Sequence, residues 1–325
     1  TDGTLAMAGN SADVAGITDI DGTLSQSTGS TFTANGTTDI DGTLSLNDGT
    51  FTANQITDID GTLSLTSGTY TAIGSTDVDG AGTLSIEGTG TYNADGQFTA
   101  TGNVTFTDEG NLVCSSTADN TFGTLTSTLG KVTFDATSGP QALPDETFHD
   151  LTVNNADGLT MANDVQVDGV LDFTDGIITT AANSMIIGGS GSVANVADGK
   201  YVDGFCAKTF TNTDPFTFPV GDEDGSANKK YRPITLTPSL GTSTTFTARY
   251  ISATPQNHTS ITGPGLNHIS GGYDGGGSNT GTGYYWDIQK DAGVKNATLS
   301  IAWTSQDTYG TDGNSLSTDI SPLTF

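Results

Sequence analysis

The chain is short of positive charge. Nine lysines and arginines stand against 37 aspartates and glutamates, a formal net charge of −28 at pH 7. The first basic residue is Lys131. A nucleic-acid partner requires a basic footprint that displaces phosphate counterions, so nucleic acid is not an expected partner, and neither is an anionic membrane surface. No run of about 18 apolar residues occurs, so membrane insertion through a helix is not expected either. Hydrophobic residues make up only 33% of the chain, below the roughly 45–50% of ordinary globular domains, which argues against one thick core. The three histidines, His149, His258 and His268, fall at spacings that match no transition-metal site.

Glycine, at 44 residues, is abundant instead, and so is a short repeat. The segments Thr18-Asp19-Ile20-Asp21-Gly22-Thr23-Leu24, Thr38-Asp39-Ile40-Asp41-Gly42-Thr43-Leu44 and Thr57-Asp58-Ile59-Asp60-Gly61-Thr62-Leu63 are followed by Thr76-Asp77-Val78-Asp79-Gly80 before Thr83-Leu84. These copies begin 20, 19 and 19 residues apart. A fixed short period marks a solenoid. Within a copy, alternation at period two turns Ile40, Leu44, Leu46, Phe51 and Ala53 inward and leaves Asp39, Asp41, Thr43, Ser45, Thr50 and Thr52 outside. Asp48-Gly49 is a turn signal. Three short strands per 20 residues describe one coil of a parallel β-helix.

The period outlasts the literal motif. Leu84 and Ile86 recur as Val104 and Phe106, and Leu112 and Cys114 as Val132 and Phe134. Leu151 and Val153 recur as Leu171 and Phe173, and Val165 and Val167 as Met185 and Ile187. The solenoid is expected over residues 1–199, roughly ten coils and about 50 Å long, with a loop bulging out around Pro140 and Pro144. Cys114 and Cys206 then lie about four coils, near 20 Å, apart, and a disulfide between them is not expected.

From Lys200 the segments lengthen and grow more aromatic. Strands are expected at 201–210, 216–220, 232–237, 244–251, 284–289 and 297–304, with a last one at 323–325. They suggest a β-sandwich over residues 200–325 with Trp286 and Trp303 as core anchors. The fold class is thus all-β: a parallel β-solenoid followed by an Ig-like β-sandwich, either incomplete or completed by a strand from a neighbour. Asp222-Glu223-Asp224-Gly225 reads as a hairpin tip, and the glycine-rich stretch 271–283 as a connection without phosphate chemistry.

Several motifs carry a resemblance. They are Phe148-His149-Asp150-Leu151-Thr152-Val153-Asn154-Asn155, Tyr201-Val202-Asp203-Gly204, Phe216-Thr217-Phe218-Pro219-Val220-Gly221, Lys230-Tyr231-Arg232-Pro233-Ile234 and Tyr285-Trp286-Asp287-Ile288. Over about residues 145–305 the chain resembles modules of large secreted surface proteins of Bacteroidota, exports of the type IX secretion kind. The resemblance implies an extracellular or cell-surface location and brings no catalytic residues.

Chemistry concentrates in the repeat. Stacked coils would align Asp19, Asp39, Asp58 and Asp77 in one column and Asp21, Asp41, Asp60 and Asp79 in a second. Carboxylates about 5 Å apart repel by roughly 1 kcal/mol per pair even in water. Bridging Ca2+, a hard cation suited to oxygen ligands, would remove that cost. The alternative is that the second aspartate of each pair caps a glycine turn through its backbone amides while the first is solvated. Polysaccharide lyases and glycosidases occur on β-helices, but the solenoid lacks a basic cleft and its aromatics fall at inward positions. The expected function is therefore a non-enzymatic structural protein, an adhesin or fibre subunit. Expected partners are further copies of itself, an upstream domain, since the first residues fall inside a repeat, or surface glycans. The competing reading is a carbohydrate-binding or polysaccharide-degrading β-helix.

Overall fold

A run such as Thr43–Leu46 can bury Leu44 and Leu46 only by turning Thr43 and Ser45 outward, and both leucines are fully buried. The computed structural model describes residues 3–223, 229–239, 243–252, 269–271, 284–290 and 297–301, and every helix or strand element among them is a β-strand. Trp303, the stretch 323–325, the glycine-rich segment 272–283, His258 and His268 lie outside the described residues.

One coil comprises Thr38–Ile40, Thr43–Leu46 and Thr50–Ala53, here called the first, second and third faces. Successive coils stack in parallel, giving a five-stranded sheet on the first face, seven strands on the second and ten on the third. Like residues fall on like: Thr43, Leu44, Ser45 and Leu46 pair with Thr62, Leu63, Ser64 and Leu65. The register inferred where the motif fades also holds. Leu84 meets Val104, Leu112 meets Val132, Leu151 meets Leu171 and Val165 meets Met185. Around Pro140 and Pro144 the expected loop contains a short strand, Gln141–Leu143, which pairs in parallel with Leu159–Met161. The prolines flank that strand without interrupting its ladder, where a missing N–H is tolerated.

The interior is built from stacked identical groups. Phe32, Phe51, Tyr70 and Tyr92 form a parallel aromatic column with centroids 4.7, 4.9 and 5.0 Å apart. Facing it are the buried Thr57 and Thr76, whose hydroxyls bond to Tyr70 and Tyr92 at 2.9 and 2.7 Å. These threonines open each first-face strand and are buried, a role the alternation around Ile40 did not reveal. In the next coil Phe98 replaces Thr76 and Leu112 replaces Tyr92, so the aromatic crosses to the other wall. Gln26 stands where Leu46 stands one coil on; it is fully buried with both polar atoms unpartnered, and nothing in the structure explains it.

Corners explain the glycine. A Cβ on Gly42 would lie 2.1 Å from the carbonyl oxygen of Gly22, and one on Gly61 would lie 2.2 Å from that of Gly42. Coils a strand-spacing apart leave no room for a side chain there. The fourth copy hides its corner residue. Gly61 C=O receives Thr83 N–H and Gly82 C=O receives Asn103 N–H, so Gly82 continues the column, while Gly80 belongs to a short insertion. A Cβ on Gly82 would sit 1.9 Å from Ile59 O, whereas the nearest atom to one on Gly80 is 4.0 Å away.

Past the last coil the sheet changes hand of pairing. Val202–Phe210 lies parallel to Ile178–Ile187 on one edge and antiparallel to Thr244–Ser252 on the other. Tyr284–Lys290 and Ile269–Gly271 extend this sheet. A three-stranded antiparallel sheet, Phe216–Phe218, Ile234–Pro238 and Ala297–Ile301, faces it, giving the sandwich-like second part. Phe210 packs on Phe218 and Phe246 between the sheets, at 6.4 and 5.7 Å. Trp286 is buried against Tyr250 and donates its Nε1–H to Arg232 O at 2.9 Å, a core anchor as expected.

Gly82→Ala is expected to lower stability by about 3 kcal/mol, the upper end of the usual overpacking penalty, and Gly80→Ala by less than about 0.5 kcal/mol. Chemical denaturation of the two variants checks this; equal losses would show that Gly82 is not the corner residue.

Candidate cation site

The aspartates stand where strand register puts them. On the first face Asp19 pairs with Asp39, Asp39 with Asp58 and Asp58 with Asp77. The column ends at Thr99, whose hydroxyl donates to Asp77 Oδ1 at 3.2 Å. The second set follows each strand at the corner. Two groups converge: carboxylate oxygens of Asp39, Asp41 and Asp60 lie within 4.8 Å of one another, and so do those of Asp58, Asp60 and Asp79. Asp60 belongs to both. Asp19, Asp21 and Asp77 stand in the columns but outside these two groups.

The corner backbone of one coil is bonded to the coil before it, with Gly42 N–H donating to Ile20 O and Gly61 N–H to Ile40 O, each at 2.6 Å. The carboxylates crowd one another, and three of them titrate accordingly. Asp39 is raised above 3.8 by partial burial and then by Asp41 and Asp19. Asp58 is raised by partial burial and then by Asp60 and Asp79, and its Oδ1 is buried without a partner. Asp60 is raised by desolvation, Asp79 and Asp41. With Ca–O distances of about 2.3–2.6 Å, oxygens on opposite sides of one ion lie about 5 Å apart, so either trio fits around a single calcium-sized ion, with waters completing its shell.

Elsewhere, potential chemistry is engaged in structure. His149 Nδ1 lies 3.1 Å from its neighbour Asp150, whose Oδ1 also accepts Val170 N–H. Cys114 and Cys206 are free, buried and raised by burial well above ordinary thiols. Of the acidic segment 222–225, Asp222 and Glu223 lie in a strand whose backbone pairs antiparallel with Lys230 and Lys229, and residues 224–225 lie outside the described residues. Sequence reasoning missed two groups at the end of the solenoid. One is Asp198, held by Lys230 Nζ and Tyr231 N–H, each at 2.9 Å. The other is Lys208, a lysine only 5% exposed. Its signal was available: it shares inward parity with Cys206 and Phe210.

The three raised aspartates set a pH dependence. A carboxyl that titrates above its ordinary 3.8 when folded imposes a penalty that is complete above its folded pKa. The penalty shrinks as pH falls through that value and vanishes below 3.8. Asp198, lowered on balance by Lys230 and Tyr231 against the raising effect of its own desolvation, acts oppositely, but only below 3.8. In chelator and low salt, the melting temperature is therefore expected to rise as pH drops from about 7 to about 4. Asp58→Asn is expected to raise it at neutral pH and flatten the response. Melting followed by circular dichroism decides; a steady fall across that range contradicts the arrangement.

No protein-family model, no curated protein and no solved structure matches the chain.

Proposed function

We propose that this chain is a non-enzymatic structural element of the cell exterior, an acidic β-solenoid stalk that ends in a β-sandwich. One observation carries the reading. The hydrogen-bonded sheet runs from the coils into the sandwich through a single strand, Val202–Phe210, which pairs with both. A stalk must transmit force and hold distance, and a joint made of shared strand and shared core suits that better than a linker. The core cluster likewise extends from Met7 to Ala297.

The surface supports the same reading. Aspartates on the first face resist side-by-side packing, so joining to further copies or to other domains goes through the ends. The column aromatics Phe51, Tyr70 and Tyr92 are fully buried, which leaves those rings unable to serve as sugar platforms and favours the stalk over a carbohydrate-binding face. Calcium bound by Asp39, Asp41 and Asp60, or by Asp58, Asp60 and Asp79, stiffens the stalk where its own charge loosens it.

Electron microscopy with gold-labelled antibody on the source cells tests location and shape together. Rods or fibres projecting from the outer surface are expected, and label confined to the cell interior overturns the reading. Calcium is tested separately on the purified chain. Millimolar Ca2+ at about 100 times its dissociation constant would add about 2.7 kcal/mol. The expected rise in melting temperature is lost in chelator and abolished by Asp60→Asn. A melting temperature indifferent to Ca2+ removes the ion and leaves the stalk.

A further inference from the structure

Each coil leaves a row of carbonyls that the next coil must satisfy. At the corner between the second and third faces, Gly49 O accepts from Thr69 N–H, Gly90 O from Asn111, Gly110 O from Lys131, Gly130 O from Asp150 and Gly169 O from Ser192. The next carbonyl in this series is that of Gly191, and no coil amide among the described residues reaches it. Lys208 does. Its ammonium donates to Gly191 O at 2.6 Å, to Gly188 O at 2.5 Å and to Gly189 O at 3.1 Å. An ammonium has three N–H donors, and three carbonyls take them. The ring of Phe216, 5.1 Å away, covers the cation from the sandwich side.

A lysine is a costly choice at such a place. No carboxylate is among its hydrogen-bond partners, and burial pushes the ammonium below an ordinary lysine. Methionine or leucine would fill the same space, but would leave the buried Gly191 O and the half-buried Gly189 O without donors, at about 1–3 kcal/mol each, and Gly188 O with only the Gly191 N–H at 3.1 Å. Arriving with the strand that leaves the solenoid, Lys208 supplies those donors from a side chain where earlier coils supply them from backbone. Its Cα pairs with Ile187 of the last coil.

We propose that Lys208 is the end cap of the solenoid, its ammonium occupying the hydrogen-bonding positions of a further coil and so barring that corner to a strand from a second copy of the chain. The surface it guards is the corner 188–191 with the adjoining Ser192–Ala194, the outermost strand of the third-face sheet among the described residues. What fits there is another coil of the same kind, because the ladder has already accepted nine such additions on that face. Such a cap gives the stalk a closed end whatever the stalk is used for, so it does not depend on the proposed location or on calcium.

Two measurements test the cap. In the unmodified protein, amine acetylation followed by peptide mass spectrometry is expected to reach the exposed Lys131 at least tenfold faster than Lys208. Equal rates would mean that the ammonium is not held, and the proposal fails. In Lys208→Met, hydrogen exchange is expected to accelerate at residues 188–194 and stay unchanged in coils 40–110, and light scattering is expected to show concentration-dependent association. Unchanged exchange at 188–194 overturns the cap. Lost protection in a chain that stays monomeric refutes the guarding role.

Discussion

Everything in the solenoid follows from one distance, the spacing of about 4.8 Å at which parallel strands bond to one another. Because each coil repeats the last, every residue meets its own equivalent across that gap. Glycine is forced at the corners, where the carbonyl of one coil nearly touches the α-carbon of the next: a Cβ on Gly61 would approach Gly42 O to 2.2 Å. The aromatic column is allowed for the same reason, since the spacing is close to the separation at which parallel rings stack, and Phe51 and Tyr70 lie at 4.9 Å with planes 6° apart.

The same spacing has opposite consequences inside and outside. Inside, like on like is favourable: rings stack, methyls interdigitate, and buried threonines meet tyrosine hydroxyls. Outside, on the first face, like on like sets Asp39 beside Asp19 and Asp58, and the fold works against their charge. A sequence under selection for stability alone would relieve such a column with neutral or alternating residues, as happens in the fifth coil, where Thr99 succeeds Asp77 and donates to it. Added to desolvation, its persistence through four coils raises Asp39, Asp58 and Asp60 together. The two trios are joined through the shared residue Asp60.

Much of this was legible because side-chain parity survives substitution. Val104 for Leu84, or Met185 for Val165, alters shape while keeping an apolar group inward, so period and alternation predicted coil stacking far beyond the visible motif. What was not legible depended on compensation between strands. Replacement of Thr76 by Phe98 is balanced by replacement of Tyr92 with Leu112 on the opposite wall. The aromatic ring is kept within the coil while it changes wall, and no single column shows that. Gly82, not Gly80, is the corner glycine for a related reason, since the motif is matched by letters and the corner is set by carbonyl pairing. The aspartate columns followed from register alone. Their convergence into two trios depended on how each corner directs the second carboxylate, which spacing does not encode.

Ending such a structure is harder than extending it, because every coil creates the edge that invites another. The chain solves this in two ways at one place. On the ladders that merge into Val202–Phe210, the sheet continues, but its next neighbour, Thr244–Ser252, runs antiparallel. Reversal breaks the one-way winding that parallel stacking requires, and the sandwich sheets then cover the remaining apolar surface. On the third face no further strand arrives among the described residues, and a side chain stands in for one. A short polar group could not reach three carbonyls at once, and a carboxylate would repel them. An ammonium on a long stem satisfies all three while its methylenes lie in the core. One lysine can therefore do there what a coil of about 20 residues does everywhere else.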